Sequence, residues 1–388
     1  MASKKTTGNA KLMREINQGL VLELIKQQGP ISRTAIAKRL NLALPTVMRI
    51  VDQLLNEGLI IAEGLGDSSG GRPPVLFNIN PQSRYLIGVD VKRRLTVILA
   101  DLMGNKLHRE EALTESIAEP AGVIEQISEM VKGIIAKTGV DVEKIAGIGI
   151  GTPGMNFKSG SLIESSAFYG WHHVDIQGLL KGKFSFPVVV ENVAKAGALG
   201  ELWLGKGMGF SNFIYVFADF GVGSGIVVNG QLYRGMTGDA GEFGHTVVEI
   251  VDGRQCYCGN SGCLEMYTSI PAILKEAEEV LGQSGVKFQD LVEEAHSGSD
   301  PVIEIFRRAG KYLGIGLANL INLYNPEAII LGGEISLFCP WYVESAREHA
   351  KKLIFSKRAQ KVQILTTGIH EDAGAMGAVA LVMNKIFG

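Results

Sequence analysis

Between His245 and Glu265 the chain gathers His245, Cys256, Cys258, Cys263 and Glu265 into 21 residues, as G-E-F-G-H-T followed by C-Y-C-G-N-S-G-C-L-E. Three of its four cysteines fall within eight positions. Thiolates and an imidazole are the ligands zinc prefers, and two intervening glycines let the backbone turn the sulfurs toward one tetrahedral centre. We therefore read a structural zinc site on His245, Cys256, Cys258 and Cys263. A chance cluster of buried thiols fits less well, because such thiols scatter along a chain. A disulfide fits less still: Cys339 lies far away, no secretory signal is visible, and intracellular thiols stay reduced.

Glu242 precedes His245 by three residues and Glu265 follows Cys263 by two, so a bound metal would aim two carboxylates. Each anionic oxygen accepts more than one hydrogen bond, and such bonds are stronger than neutral pairs, which suits sugar hydroxyls. A polyol pocket beside the metal is expected. The alternative is two solvated loop charges.

These residues need a scaffold. At 388 residues, 46% hydrophobic and with 49 glycines, the chain reads as a turn-rich α/β protein of two or three domains. No apolar stretch approaches 18 residues without a charge or turn signal, and the N-terminus M-A-S-K-K-T-T lacks an apolar export segment, so a cytoplasmic location away from membranes is expected. The net charge of −2 hides an asymmetry: residues 1–80 hold ten Lys and Arg against six Asp and Glu. That part is the one suited to phosphates.

Apolar residues at Leu12, Ile16, Leu20 and Leu24 predict a helix over 9–28, stopped by Gly29-Pro30. Ser32 then caps T-A-I-A-K-R-L, and after the turn at Leu40-Asn41-Leu42 a second run, 45–56, turns Val47, Ile50, Val51, Leu54 and Leu55 inward. This is helix, tight turn, helix. The later helix would enter the major groove of double-stranded DNA with Leu44, Pro45, Thr46 and Arg49 at the base edges, and the planar fork of Arg49 matches guanine. Two strand signals then flank G-D-S-S-G-G-R-P-P, which reads as a wing laying Arg72 into the minor groove. The alternatives are a flexible linker there, and a helix-turn-helix that docks on protein.

From Tyr85 the order strand, strand, strand, helix, strand runs to Gly151-Thr152-Pro153-Gly154, and recurs from Phe213 to Gly332-Gly333. Two such halves predict two lobes with a cleft between them, where ligands of α/β proteins gather. The expected boundaries are 1–80 for the winged helix-turn-helix, 81–200 for the first lobe and 201–388 for the second, with the last helix returning to the first lobe.

The chain resembles the ROK family, in particular its repressor branch, which joins a winged helix to an actin-like sugar-kinase body with an RNase H-like duplication. The resemblance rests on G-E-F-G-H with C-Y-C-G-N-S-G-C-L-E, and on G-T-P-G, E-N-V-A-K-A-G-A-L-G-E, F-G-V-G-S-G and D-A-G-A-M-G-A-V-A-L. It implies sugar ligands at Gly154, Asn192, Glu242, His245 and Glu265, and zinc ligands at His245, Cys256, Cys258 and Cys263.

Three departures matter. Sugar kinases of the family carry an aspartate general base directly after the asparagine; Val193 stands there, and an isopropyl group accepts no proton. Their first phosphate loop has glycines where this chain has Val91-Lys92-Arg93-Arg94 after Asp90. The segment S-S-A-F-Y-G-W lacks the usual proline and asparagine near the sugar. The expectation is thus a sugar- or polyol-responsive repressor, homodimeric or homotetrameric on operator DNA, with a non-catalytic kinase-like cleft. The rival is an ATP-dependent sugar kinase with a regulatory N-terminal unit.

Overall fold

The computed structural model describes residues 10–67, 73–92, 94–114, 119–152, 154–156, 162–166 and 170–387. Helix α1 (Ala10–Gln28) ends before Gly29-Pro30, and a short strand β1 (Ile31–Ser32) leads into α2 (Arg33–Leu40). The Ser32 hydroxyl accepts the amide of Ala35 at 3.2 Å, the N-cap bond its position foretold. Asn41 closes α2 in the left-handed region at φ 52°, which asparagine tolerates. Helix α3 (Leu44–Asn56) starts with Pro45 in its first turn and buries Val47, Ile50, Val51 and Leu54, a helical spacing that gives one apolar face. Leu55 is only half-buried. Strands β2 (Ile60–Leu65) and β3 (Val75–Ile79) pair antiparallel, and β1 adds to β3. Arg72 lies outside the described residues, so the wing is seen through its two flanking strands.

The body contains two five-stranded sheets with one topology. The first uses β4 (Tyr85–Asp90), β5 (Arg94–Asp101), β6 (Lys106–Leu113), helix α4 (Pro120–Thr138) and β7 (Ile145–Thr152). A small sheet of β8 (Met155–Asn156), β9 (Leu162–Ser166) and β10 (Trp171–Asp175) follows, then α5 (Ile176–Lys181), β11 (Val188–Asn192) and α6 (Val193–Leu204). The second half holds β12 (Phe213–Ala218), β13 (Val222–Val228), β14 (Gln231–Tyr233), α7 (Glu265–Thr268), α8 (Ile270–Leu281), α9 (Phe288–His296), α10 (Asp300–Tyr324), β15 (Ala328–Gly332), α11 (Glu334–Phe338), α12 (Pro340–Leu353), β16 (Gln363–Thr366) and α13 (Ala373–Phe387). The sheets run β11-β7-β4-β5-β6 and β16-β15-β12-β13-β14, so each strand of one has its counterpart in the other. The repeat of element order read from the sequence is thus a repeat of strand pairing.

Each lobe buries its own core. Val123, Ile127, Val131 and Ile134 of α4 pack on Val97, Leu99, Ile148 and Ile150 of the first sheet. In the second, Phe306, Leu313 and Leu317 of α10 pack with Ile329, Leu331 and Tyr342. Helix α13 returns to the first sheet and lies almost on its backbone: a Cβ at Gly149 would stand 1.8 Å from the Ala378 carbonyl oxygen, and one at Gly88 2.1 Å from that of Ala375. Val21, Leu22 and Ile25 of α1 join the same core as Trp203 of α6 and Leu381, Met383 and Phe387 of α13, so the N-terminal unit is seated on the first lobe. Among the described residues no helix is long and apolar enough to cross a membrane.

The seating of α13 sets a test. Gly149→Ala must push two backbones apart, so it should destabilise the chain by about 1–3 kcal/mol or more in urea unfolding. A change below about 0.5 kcal/mol, the range of ordinary surface substitutions, would show that the contact yields freely.

Candidate functional site

His245 ends a short 3-10 turn (Phe243–His245) anchored by Phe243, which is buried in the second lobe. Gly241 and Gly244 let this segment lie on β13: a Cβ at either would come within 2.1 or 2.2 Å of the carbonyl oxygens of Ser224 and Val222. The cysteine loop returns antiparallel to the stretch after His245 through the bridge Val247–Cys263, and closes on itself through Gln255–Ser261. Arg254 fastens the loop base, stacking over Tyr267 at 5.0 Å and donating to the Met266 carbonyl at 3.0 Å.

The ligand atoms of His245, Cys256, Cys258 and Cys263 all lie within 4.8 Å of one another. Cys258 and Cys263 sulfurs are 3.6 Å apart, and Cys256 Sγ lies 3.6 Å from His245 Nδ1. A tetrahedron with bonds of about 2.3 Å to sulfur has edges of about 3.8 Å, so donor set and spacing both fit such a metal. Burial pushes the Cys263 thiol up to about 12 and raises Cys256 as well. Burial also acts on Cys258, but hydrogen bonds from the Asn260 amide and the other two thiols outweigh it and lower that thiol.

The other expected ligands converge on the same cleft. Asn192 caps α6, its Oδ1 accepting the Ala194 amide at 2.9 Å while its Nδ2 donates to the Gly154 carbonyl at 3.0 Å. Val193 follows it, buried in the first turn. Glu265 begins α7, is buried, and accepts the Val222 amide at 2.7 Å. Glu242 has its carboxyl raised by burial, opposed by the nearby charges of Lys195 and His245. With Nδ1 turned to the Cys256 sulfur, His245 points Nε2 at the Tyr257 hydroxyl.

Two residues of this cleft were missed by sequence reasoning. Lys195 is buried one turn after Asn192, with Nζ on the Gly238 carbonyl and close to Glu242. Its spacing of three from Asn192 is the signal that could have found it. Tyr257, held between two cysteine ligands, places its hydroxyl 3.3 Å from His245 Nε2. The side chain is exposed overall, yet burial and then the charge of hydrogen-bonded Glu265 raise its phenol. A loop of alternating cysteines leaves such a residue little choice of direction. The tail of the S-S-A-F-Y-G-W segment, Trp171, is buried, while 167–169 lie outside the described residues.

Across the cleft, Asp90 closes β4 and Asp219 follows β12, equivalent places in the two halves, and both are buried. Lys92 Nζ lies 3.0 Å from Asp90 Oδ2 and 4.0 Å from Asp219 Oδ2, above the ring of Phe217. Burial alone would lower this ammonium; the two carboxylates reverse that and keep it protonated. Burial raises Asp90, against the pull of Lys92. Arg94 instead leaves the cleft to pair with Glu111, and Arg93 lies outside the described residues.

On the N-terminal unit, Leu44, Pro45 and Arg49 are exposed on α3 and Thr46 is half-buried. Asp52, on the next turn, is neutralised by Arg33 at 2.5 Å.

The ROK family profile matches residues 86–385 and the MarR family profile residues 15–62. The chain is 32% identical to the xylose repressor of Caldicellulosiruptor bescii over 393 residues, 98% of each protein. In architecture it is similar to a crystallised ROK family transcriptional regulator, a homologue of the Escherichia coli MLC protein, with TM-score 0.84, 26% identity and 97% of each chain covered. A ROK family glucokinase from Streptomyces griseus, solved with glucose and AMPPNP, matches 76% of this chain and 98% of its own at TM-score 0.66 and 28% identity.

The Asp90–Lys92–Asp219 group predicts a non-additive effect. Lys92→Met leaves two buried carboxylates facing each other and should cost up to about 3 kcal/mol in denaturant unfolding. The triple change with Asp90→Asn and Asp219→Asn should recover most of that loss; a triple variant no more stable than the single would refute the ion pairing as the cause.

Proposed function

The chain belongs to the ROK family, and on that footing we propose that it is a transcriptional repressor whose kinase-like body senses a sugar or polyol without phosphorylating it. One observation carries the reading: a cleft lined by Asn192, Glu242, His245 and Glu265 has Val193 where a base would stand, and is joined to a winged helix. Carboxylates, an amide and an imidazole suffice to hold hydroxyls. Phosphate transfer needs more: donors for the phosphates and a group to take the hydroxyl proton. In this chain the loop after β4 carries Lys92 between Asp90 and Asp219, so a triphosphate would meet two carboxylates for one ammonium. The likeness to a glucokinase structure supports a shared sugar-binding body, and the whole-length likeness to a xylose repressor supports the regulatory use of it.

In this reading zinc is the metal of the Cys3His cluster, and it would supply no reacting group. Its four ligands would close the 245–263 loop and orient His245 Nε2 and, through Cys263, Glu265. Glu242 and Glu265 then accept sugar hydroxyls, Asn192 and the backbone at Gly154 contribute polar atoms, and Lys195 offsets the two carboxylates. Arg49 reads a base in the major groove beside Leu44, Pro45 and Thr46, and Arg72 enters the minor groove. A homodimer or homotetramer in the cytoplasm would present two such units to an operator with half-sites about one helical turn apart.

The experiment is a gel shift on the chain's own upstream DNA, with D-xylose and D-glucose as added sugars, beside an ATP-coupled kinase assay on both. A sugar-sensitive shift without turnover is expected; a kcat of about 1 s⁻¹ or more would make the protein an enzyme. Arg49→Ala should weaken the specific shift by about 1–3 kcal/mol, roughly 5- to 150-fold, and an unchanged shift would displace Arg49 from the bases. For the metal, Cys258→Ser should release zinc, measured by elemental analysis, and weaken sugar binding in titration calorimetry while leaving the DNA shift in place. Full sugar affinity in the metal-free variant would separate the two sites.

A further inference from the structure

Helix α6 begins at the cleft and ends at the DNA-binding unit. Its N-cap is Asn192, tied to Gly154, and its first turn sends Lys195 to the Gly238 carbonyl. At 1.5 Å per residue its 12 residues span about 18 Å. Its last turn carries Trp203, whose indole N–H donates to Asn384 of α13 at 3.2 Å and whose ring packs on Phe387. Lys26 of α1 reaches this end: Nζ donates to the Trp203 carbonyl at 3.2 Å and sits 5.3 Å from the indole centre and 5.8 Å from that of Phe387. A carbonyl in the last turn of a helix lacks an intrahelical partner and lies at the negative end of the dipole, so an ammonium is a fitting cap.

The helix has no slack between those ends. Residues 193–201 and 203 are all buried. A Cβ on Gly197 would fall 2.4 Å from the Tyr215 ring of the second lobe, one on Gly225 2.4 Å from Ala198, and one on Gly377 of α13 2.7 Å from the Ala196 backbone. A shift of either lobe must therefore carry α6 with it, as closely packed interiors transmit displacement rather than absorb it. Beyond Lys26 the path continues by contact. Val21 and Ile25 of α1 share a core with Val47, Ile50 and Leu54 of α3, and Arg14 donates to Gln53 of α3 at 2.6 Å.

We propose that α6 is the rod that carries sugar occupancy to the DNA-reading helix, and that Lys26 is the latch joining it to α1. This rests on the repressor reading above. It assigns Lys26 and Trp203 as positioning residues that touch neither sugar nor DNA, and it demands that their loss uncouple two intact sites. A ligand acts at a distance only through a difference in its affinity for two arrangements, and the latch is where the arrangements of body and DNA-binding unit become one equilibrium.

The test measures operator affinity by gel shift with and without D-xylose and D-glucose, and sugar affinity by calorimetry, in the full-length chain. In the wild-type chain one sugar should change operator affinity within the usual ~5- to 150-fold range of coupling. In Lys26→Met, which keeps the aliphatic stem, each affinity alone should stay within about threefold of wild type, while the sugar's effect on DNA shrinks below about threefold. Lys26→Arg should restore it. A full sugar effect in Lys26→Met overturns the latch and leaves the repressor reading standing; no effect of either sugar in the wild-type chain removes both. Hydrogen exchange of the wild-type chain is independent of any folding defect in the variant. Sugar should change protection over both 193–204 and 19–28, and a change confined to 193–204 overturns the proposal.

Discussion

The architecture depends on backbones that come closer than side chains allow. Helix α13 lies against the first sheet at Gly88 and Gly149, and α6 is gripped between α13 and the strands of the second lobe at Gly377, Gly197 and Gly225. Small residues in these places turn two lobes and two buried helices into one block with little free volume. That tightness is what allows a polar cleft to exist between the halves. The groups lining it are held by rigid elements, Asn192 as a helix cap, Glu265 at the start of α7, and His245 on a turn laid against β13.

The buried charge near the cleft falls into two groups, each with more carboxylates than ammonium groups. Glu242 lies near both Lys195 and Glu265, and Asp90 and Asp219 face Lys92. Buried carboxylates without a counterion would be costly, and each cluster meets that cost with one ammonium. The second cluster follows from the duplication itself. The leading strand of each half has an aspartate at or just past its end, and the loop after the first of them supplies the lysine that faces both. A site built on the symmetric ends of two β-strands is thereby spent on an internal ion pair.

Much of this was legible in the sequence. Gly29-Pro30, Ser32 and Asn41 mark the limits of the first helices because each acts on its own neighbours through a missing amide, a hydroxyl acceptor or a tolerated positive φ. The duplicated element order was visible for the same reason, since strand and helix periodicities are local, and the metal cluster because its ligands are close in the chain. What stayed hidden is non-local. Nothing near Asp219 announces that it will face Asp90, and A-K-A-G-A-L-G-E reads as an ordinary small-residue helix although Lys195 is buried in it. The small sheet of β8, β9 and β10 was not legible, because its strands of two and five residues, L-I-E-S-S and W-H-H-V-D among them, are too short and too polar to show an alternating pattern. Tyr257 carries no local signal either, since a tyrosine between two cysteines has no spacing that marks it as a neighbour of His245.

All four residues of the metal cluster lie within 19 consecutive positions of a single lobe. None comes from the first lobe, from α13 or from the N-terminal unit. Oxidation of these thiols would thus unfasten one loop of the second lobe, while both cores and the seat of the N-terminal unit on α1, α6 and α13 stay as they are.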